Sequence, residues 1–305
     1  MHDVDGLMAA NSYQKRTVTL QEVIERIEVG DHGGVARVIL SVSPCRSGTT
    51  VFLRVFGASG IQSHYQELKN VLRWQMQAGE AEWQIPQLPT DGAHPSETIY
   101  LKETLGPYTE TEACFNPLDV LLKAGVPPEK LHIVVIGRAP FDTWASWDAW
   151  WRGVTSVDWF ILAYQTTEQI RRQAYQYQIP VTVFIYEAIR DNGPGKAIGT
   201  LFNHLGIPYS SIAVGGWQAL PAFGMPGSNI ILPEEPPAFI VPDLHLLVEQ
   251  ADGLTYYARN QSFQRVDPND WKKIKHSDVS SIYEIWREMC ERDLNVQVNK
   301  DTKEI

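Results

Sequence analysis

Two rhythms of apolar and polar positions run along this chain. Short apolar runs bounded by turn residues occur at 35–43 (VARVILSVS), 98–102 (TIYLK), 131–137 (LHIVVIG) and 180–186 (PVTVFIY), and each reads as a buried strand. GIQSHY at 60–65 is a weaker fifth. Between the runs, apolar residues return at helical spacing over 50–57, 66–77, 140–151, 157–178 and 196–205, which predicts helices. Strands alternating with helices predict an α/β fold, a mainly parallel central sheet with helices on both faces.

The ends of the chain follow other patterns. Residues 1–34 are expected to be an extension, polar at first and then carrying LQEVIERIEV, whose Leu20, Val23, Ile24 and Ile27 share a helical face before the stop GDHGG. Residues 35–305 are expected to form a single domain. Within it, 214–245 is rich in Gly and Pro and predicts a long loop or lid rather than a regular core element. A closing amphipathic helix is expected at 277–293, with Val279, Ile282, Ile285, Trp286 and Met289 on its apolar face.

Composition narrows the function classes. Hydrophobic residues make up 44% and charged residues 20%, a balance that supports a packed core rather than disorder. The net charge of -10 argues against nucleic acid or a polyanionic polysaccharide as partner and leaves room for a small charged ligand in a local basic pocket. Cys45, Cys114 and Cys290 are widely spaced, so free thiols are expected rather than a disulfide framework or zinc site. With no apolar run of about 18 residues and no leader-like start, a soluble, cytoplasmic protein without a membrane partner is expected. The pattern leaves the oligomeric state open.

The first strand runs into SVSPCRSGTT, residues 41–50, a strand, tight turn and helix start. Such a turn presents unpaired N–H groups and the positive end of a helix dipole to an anion. A triphosphate loop of the GxxxxGKS/T type would place lysine directly after the second glycine. Here Thr49 follows Gly48, the first glycine is missing, and the cation is Arg46. The strand LHIVVIGR ends in Arg138 instead of an acidic magnesium ligand. Both departures point away from ATP or GTP.

PCRSGTT resembles the 5′-phosphosulfate loop of sulfotransferases that use 3′-phosphoadenosine 5′-phosphosulfate (PAPS), whose usual form is P-x-K/R-S-G-T-T/S. Those enzymes also hold the 3′-phosphate with R-x-P-x-x-x-x-x-S, and RAPFDTWAS places Arg138 and Ser146 at that spacing. FIYEAI is similar to the family's strand-end element, which would put Tyr186 near the adenine, and DWKKIKHSDVSSIYEIWREMC to its closing segment. The resemblance implies a P-loop-like sulfotransferase architecture and PAPS as co-substrate, with adenosine 3′,5′-bisphosphate (PAP) as product. It implies donor binding by Arg46, Ser47, Gly48, Thr49, Thr50, Arg138, Ser146 and Tyr186, and no metal.

Many members use a histidine base in a KTHLP element. The equivalent stretch here is LKETLGP, with Thr104 in the histidine position. Another branch pairs a loop arginine with a glutamate base further on, which points to Glu67, ahead of Glu103 and His64. Lys102 matches the lysine that stabilises charge on the transferred group, and Arg46 would steady the leaving phosphate. The tryptophans at 144, 147, 150, 151 and 159, with Trp74 and Trp83, could line an acceptor pocket or fill the core. A small, apolar or aromatic alcohol is the expected acceptor. Two other readings stay open: a P-loop kinase or other nucleotide-handling enzyme, and a non-catalytic nucleotide-binding relative.

Overall fold

The computed structural model describes residues 37–78, 98–240, 245–256 and 266–299; the helix expected around Leu20–Ile27 lies outside them, as does Trp83. The strands are β1 (Arg37–Pro44), β2 (Gln62–Tyr65), β3 (Thr98–Leu105), β4 (Leu131–Gly137), β5 (Val181–Ile185) and β6 (Ile230–Ile231). They form one sheet in the order β5-β4-β1-β3-β2-β6, parallel at every pairing. The near-continuous apolar runs of β1 and β4 are explained by this position: helices cover both faces of a parallel sheet, so successive side chains are buried whichever way they point.

The main helices are α1 (Thr49–Ala58), α2 (Glu67–Ala78), α3 (Pro140–Trp151), α4 (Val157–Gln176), α5 (Pro194–Leu205) and α6 (Val279–Leu294). α1 is buried over most of its circumference, from Val51 to Gly57. Its Phe56 stacks on Tyr100 of β3, centroids 4.0 Å apart, and its Phe52 meets Phe184 of β5 edge-on at 4.9 Å. The closing helix α6 seals the other side. Trp286 packs over Gly137, where a Cβ would lie 3.0 Å from its ring, stacks against Tyr164 at 5.5 Å and donates its indole N–H to Glu168. A buried tryptophan of this kind contributes about 3–5 kcal/mol.

Two expectations change in detail. Ile285, placed on the buried face of the closing helix by its spacing, is 40% exposed; the buried stripe runs through Val279, Ile282, Tyr283, Trp286 and Cys290, and Ile285 sits at its edge. The Gly/Pro-rich stretch is mainly irregular, yet it supplies β6, whose Ile230 and Ile231 pair with Ser63 and His64. Two residues are too few to show a period, and the pairing rests on main-chain hydrogen bonds and on Gly57, whose missing side chain makes room for Ile230. Among the described residues no helix is long and apolar enough to cross a membrane, and Cys45, Cys114 and Cys290 are free thiols.

The strand order puts a topological switch beside β1. The chain leaves β1 through α1 towards β2 on one side, and leaves β4, the neighbour on the other side, away towards β5. A crevice opens between diverging connections at the carboxyl ends of such strands. The loops after β1 and β4 carry Arg46 and Arg138.

Candidate functional site

The loop after β1 is built from residues in left-handed conformations. Arg46 has φ 69° and Gly48 φ 90°, a backbone that turns successive amides inward into an anion-binding concavity. The Cys45 amide donates to Leu105 O of β3 at 3.0 Å, which ties the loop to the sheet. Gly48 is the cap of α1 and no side chain caps that end; in its first turn Val51 N donates to Gly48 O at 3.0 Å, and the earlier amides have no side-chain cap. Glycine is required twice over: by its φ, and because a Cβ would lie 2.6 Å from the Tyr186 ring. Among the described residues the buried Ser47 hydroxyl has no hydrogen-bond partner. A glycine cradle, an unpaired buried hydroxyl and open helix amides fit a bound phosphate or sulfate group.

The loop after β4 meets it. Arg138 Nη1 donates to Arg46 O at 3.4 Å, and Arg46 Nε donates to Ser146 Oγ at 3.1 Å. The Arg46 guanidinium also lies over the Trp150 ring at 5.5 Å, and that of Arg138 over Tyr186 at 5.5 Å. Glu187, fully buried, accepts the Ala139 amide at 3.0 Å, and Tyr164 donates to Arg138 O at 2.7 Å, so the turn is tied to the segment after β5 and to α4. Burial pushes the Glu187 carboxyl up to about 7, with Arg138 opposing the shift. Burial also works against the charge on Arg138, but Glu187 and Asp142 outweigh it and its pKa is raised.

A cavity of about 190 Å³ opens beside these loops, bordered on one side by Arg46, Thr49, Thr50, Lys102, Arg138 and Tyr186. Its other wall includes Arg73, Tyr108, Trp151, Glu235, Phe239 and His245. The Lys102 ammonium, at the heart of the sheet, sits 4.0 Å from the centre of the Tyr65 ring; burial brings its pKa down to about 7. His245 Nδ1 and Thr50 Oγ1 share a hydrogen bond at 3.3 Å, and its ring meets Tyr65 edge-on at 4.8 Å. Burial, reinforced by Lys102 and Arg46, holds this imidazole well below its ordinary pKa, so it is neutral at pH 7.

The structure gathers Arg46, Gly48, Thr49, Thr50, Arg138, Ser146 and Tyr186 around one crevice, with Lys102 facing it. It does not bring Glu67, His64 or Glu103 onto the cavity wall. Glu67, at the start of α2, bonds His64 Nδ1 at 2.9 Å. Glu103 is fully buried and accepts the amides of Leu68 and Lys69 at 2.9 and 3.1 Å, an acceptor for the N-terminus of α2. Burial pushes its carboxyl up to about 7 against those two bonds. Thr104 is buried on β3 with its hydroxyl unpartnered among the described residues. Of the tryptophans, Trp144 and Trp147 belong to the core, whereas Trp151 reaches the cavity.

Arg73, Glu235 and His245 escaped sequence reasoning. Arg73 lies on α2, where a basic residue reads as solvated; here it is 4% exposed. Its Nε donates to Glu112 at 2.8 Å and its Nη1 to Glu235 at 2.6 Å, and it lies over the Tyr108 and Phe239 rings at 5.6 and 5.0 Å. Glu235 and His245 lie in or at the end of the proline-rich stretch, where no period assigns a face. Comparison of the chain with protein-family models and with curated proteins gives no match.

Proposed function

We propose that this chain is a PAPS-dependent sulfotransferase that moves a sulfuryl group to a hydroxyl of a small acceptor. The observation that carries this reading is the meeting of the two anion-holding loops: Arg138 donates to the main chain of Arg46, and Arg46 to Ser146. A ligand with phosphate groups at two positions of one nucleoside needs two such holders within one nucleotide's length. Hydrogen bonds to charged groups contribute about 1.5–3 kcal/mol each.

The roles follow from position. Gly48, Thr49 and Thr50 offer amides and hydroxyls to the 5′ end, and Arg138 with Ser146 holds the 3′-phosphate. Lys102 faces the group in flight, where a positive charge stabilises the bridging oxygen as the bond from sulfur to the 5′-phosphate breaks and the bond to the acceptor oxygen forms. The acceptor proton needs a base. Of the groups weighed from the sequence none lines the cavity, while His245 does so as a neutral imidazole. The negative charge of a bound donor raises its proton affinity, so we assign the proton to His245 and place Glu67 second.

The direct test is thermal stabilisation by adenosine 3′,5′-bisphosphate against AMP. At 100 times its dissociation constant the bisphosphate should add about 2.7 kcal/mol, and Arg138→Ala should abolish the preference over AMP. Stabilisation by magnesium-ATP with none by the bisphosphate overturns the reading in favour of a kinase-type enzyme. For the base, His245→Asn should lower kcat about 100-fold or more with bisphosphate affinity retained. A comparable loss from Glu67→Gln, with His245→Asn active, moves the role to Glu67.

A further inference from the structure

Glu235, Phe239 and His245 of the proline-rich stretch line the cavity. Outside it lies a second groove of about 330 Å³ bordered by Leu232, Pro233, Pro237 and Ile240. Tyr65, Glu235 and His245 belong to the walls of both spaces, so they form the partition between them. Glu235 stands in that partition because its carboxylate bonds Arg73.

Arg73 and Lys69 are buried together, and both lean on Glu112, which is itself fully buried. Burial would raise the Glu112 carboxyl, but the two cations outweigh it and hold it low. Burial lowers the Lys69 pKa against the pull of Glu112 and Glu103, whereas Arg73 keeps its charge and has Glu235 as a second carboxylate. Burial likewise disfavours the charged form of Arg73, and Glu112 and Glu235 more than offset it. Removing Glu235 would leave the buried Arg73 with Glu112 as its remaining carboxylate partner among the described residues. A carboxylate is the group that would take over the Glu235 contact with Arg73 in kind.

The two carboxylates on Arg73 differ in their freedom. The Glu112 side chain is 0% exposed, whereas that of Glu235 is 22% exposed. The main chain beside Glu235 is held independently: Glu234 O accepts Asn70 Nδ2 at 2.7 Å and Trp74 Nε1 at 2.9 Å. Glu235 is thus the more exposed of the two carboxylates on Arg73, and the main chain beside it is anchored without that pair.

We propose that the acceptor carries a carboxylate that replaces Glu235 on Arg73, with its apolar body against Tyr108 and Phe239. The hydroxyl to be modified then points towards Lys102 and His245; the carboxylate contact stands on the geometry, and the ligand's being the acceptor rests on the transfer reading. The acceptor class is a small hydroxylated carboxylic acid, aromatic or aliphatic. A neutral acceptor would have to bind with the partition in place or leave Arg73 with Glu112 as its remaining carboxylate partner among the described residues.

The test is calorimetric titration of the full chain with benzoate, 4-hydroxybenzoate and hexanoate against the matching primary amides. Wild type is compared with Glu235→Ala and Glu235→Gln, which leave the buried Arg73–Glu112 pair intact. Relieved of the competing side chain, both variants should bind at least one of the acids about tenfold tighter than wild type does, and about tenfold tighter than its amide. Equal affinity for acids and amides, or no gain in either variant, overturns the proposal. Stabilisation by adenosine 3′,5′-bisphosphate, measured alongside, separates the two ideas. If the acid preference holds without it, the carboxylate site stands and the transfer reading falls; bisphosphate binding without any acid preference removes the carboxylate site alone.

Discussion

Gly48 answers to two constraints at once, a left-handed backbone and a tyrosine ring in the space a side chain would fill. Gly48→Ala should cost about 1–3 kcal/mol in urea unfolding and weaken bisphosphate binding; unchanged stability would show that the loop relaxes freely. Glu187 makes a different prediction, through pH. Its folded pKa of about 7 lies above the ordinary 4.5, so between those values the folded state holds a proton that the unfolded state has lost. Stability drawn from this group is complete below about pH 4.5 and declines as pH rises to about 7. Unfolding of Glu187→Gln at pH 5 and 7.5 should show the variant gaining on wild type by up to about 3 kcal/mol; a gap independent of pH would refute the assignment. These demands were only partly readable from residue order. Ser47, Gly48 and Arg138 stand out by spacing, while the ring over Gly48 and the burial of Glu187 come from packing between distant segments.

At the level of elements, Glu103 joins β3 to the first turn of α2 by accepting two amides that the helix cannot pair internally. Glu103→Ala leaves both unpaired in a buried place and should cost about 2–4 kcal/mol, with faster amide exchange at Leu68 and Lys69. Loss of stability without that local change would mean the carboxylate supports something else. This explains why β3 was hard to read for chemistry: LKETL places Lys102, Glu103 and Thr104 on one strand, and alternation sends Lys102 to the cavity and Glu103 to the helix. Strands and helices with a repeated apolar period were legible to within about two residues of their ends, except β3, expected over 98–102 and running on to Leu105. β6 was not, since main-chain pairing leaves no mark in so short a run.

For the molecule as a whole, site and topology are one feature. The loops after β1 and β4 are far apart in sequence and adjacent only because the sheet order places those strands side by side. Adenosine 3′,5′-bisphosphate should slow amide exchange at residues 45–50 and 138–146 together; protection of one segment without the other would show that they do not hold a common ligand. The end of the cavity at Arg46 and Arg138 was readable because it is written in two compact motifs. The opposite wall is not, because Arg73, Glu235 and His245 are assembled from a helix and an aperiodic stretch, and only the folded chain sets them side by side.

The mooring of that aperiodic stretch has its own consequence. Arg54 ties it down at Trp217 and Pro221, the sheet edge takes it at Ile230, and Asn70 with Trp74 fixes it at Glu234. Beyond Glu234 the Glu235 carboxylate still bonds Arg73, while Pro237 and Ile240 border the outer groove. Exchanging Pro237 and Ile240 should change what the outer groove admits and leave the bonds of Arg46 and Arg138 in place, so on the proposed reading the two ends of the cavity can vary separately.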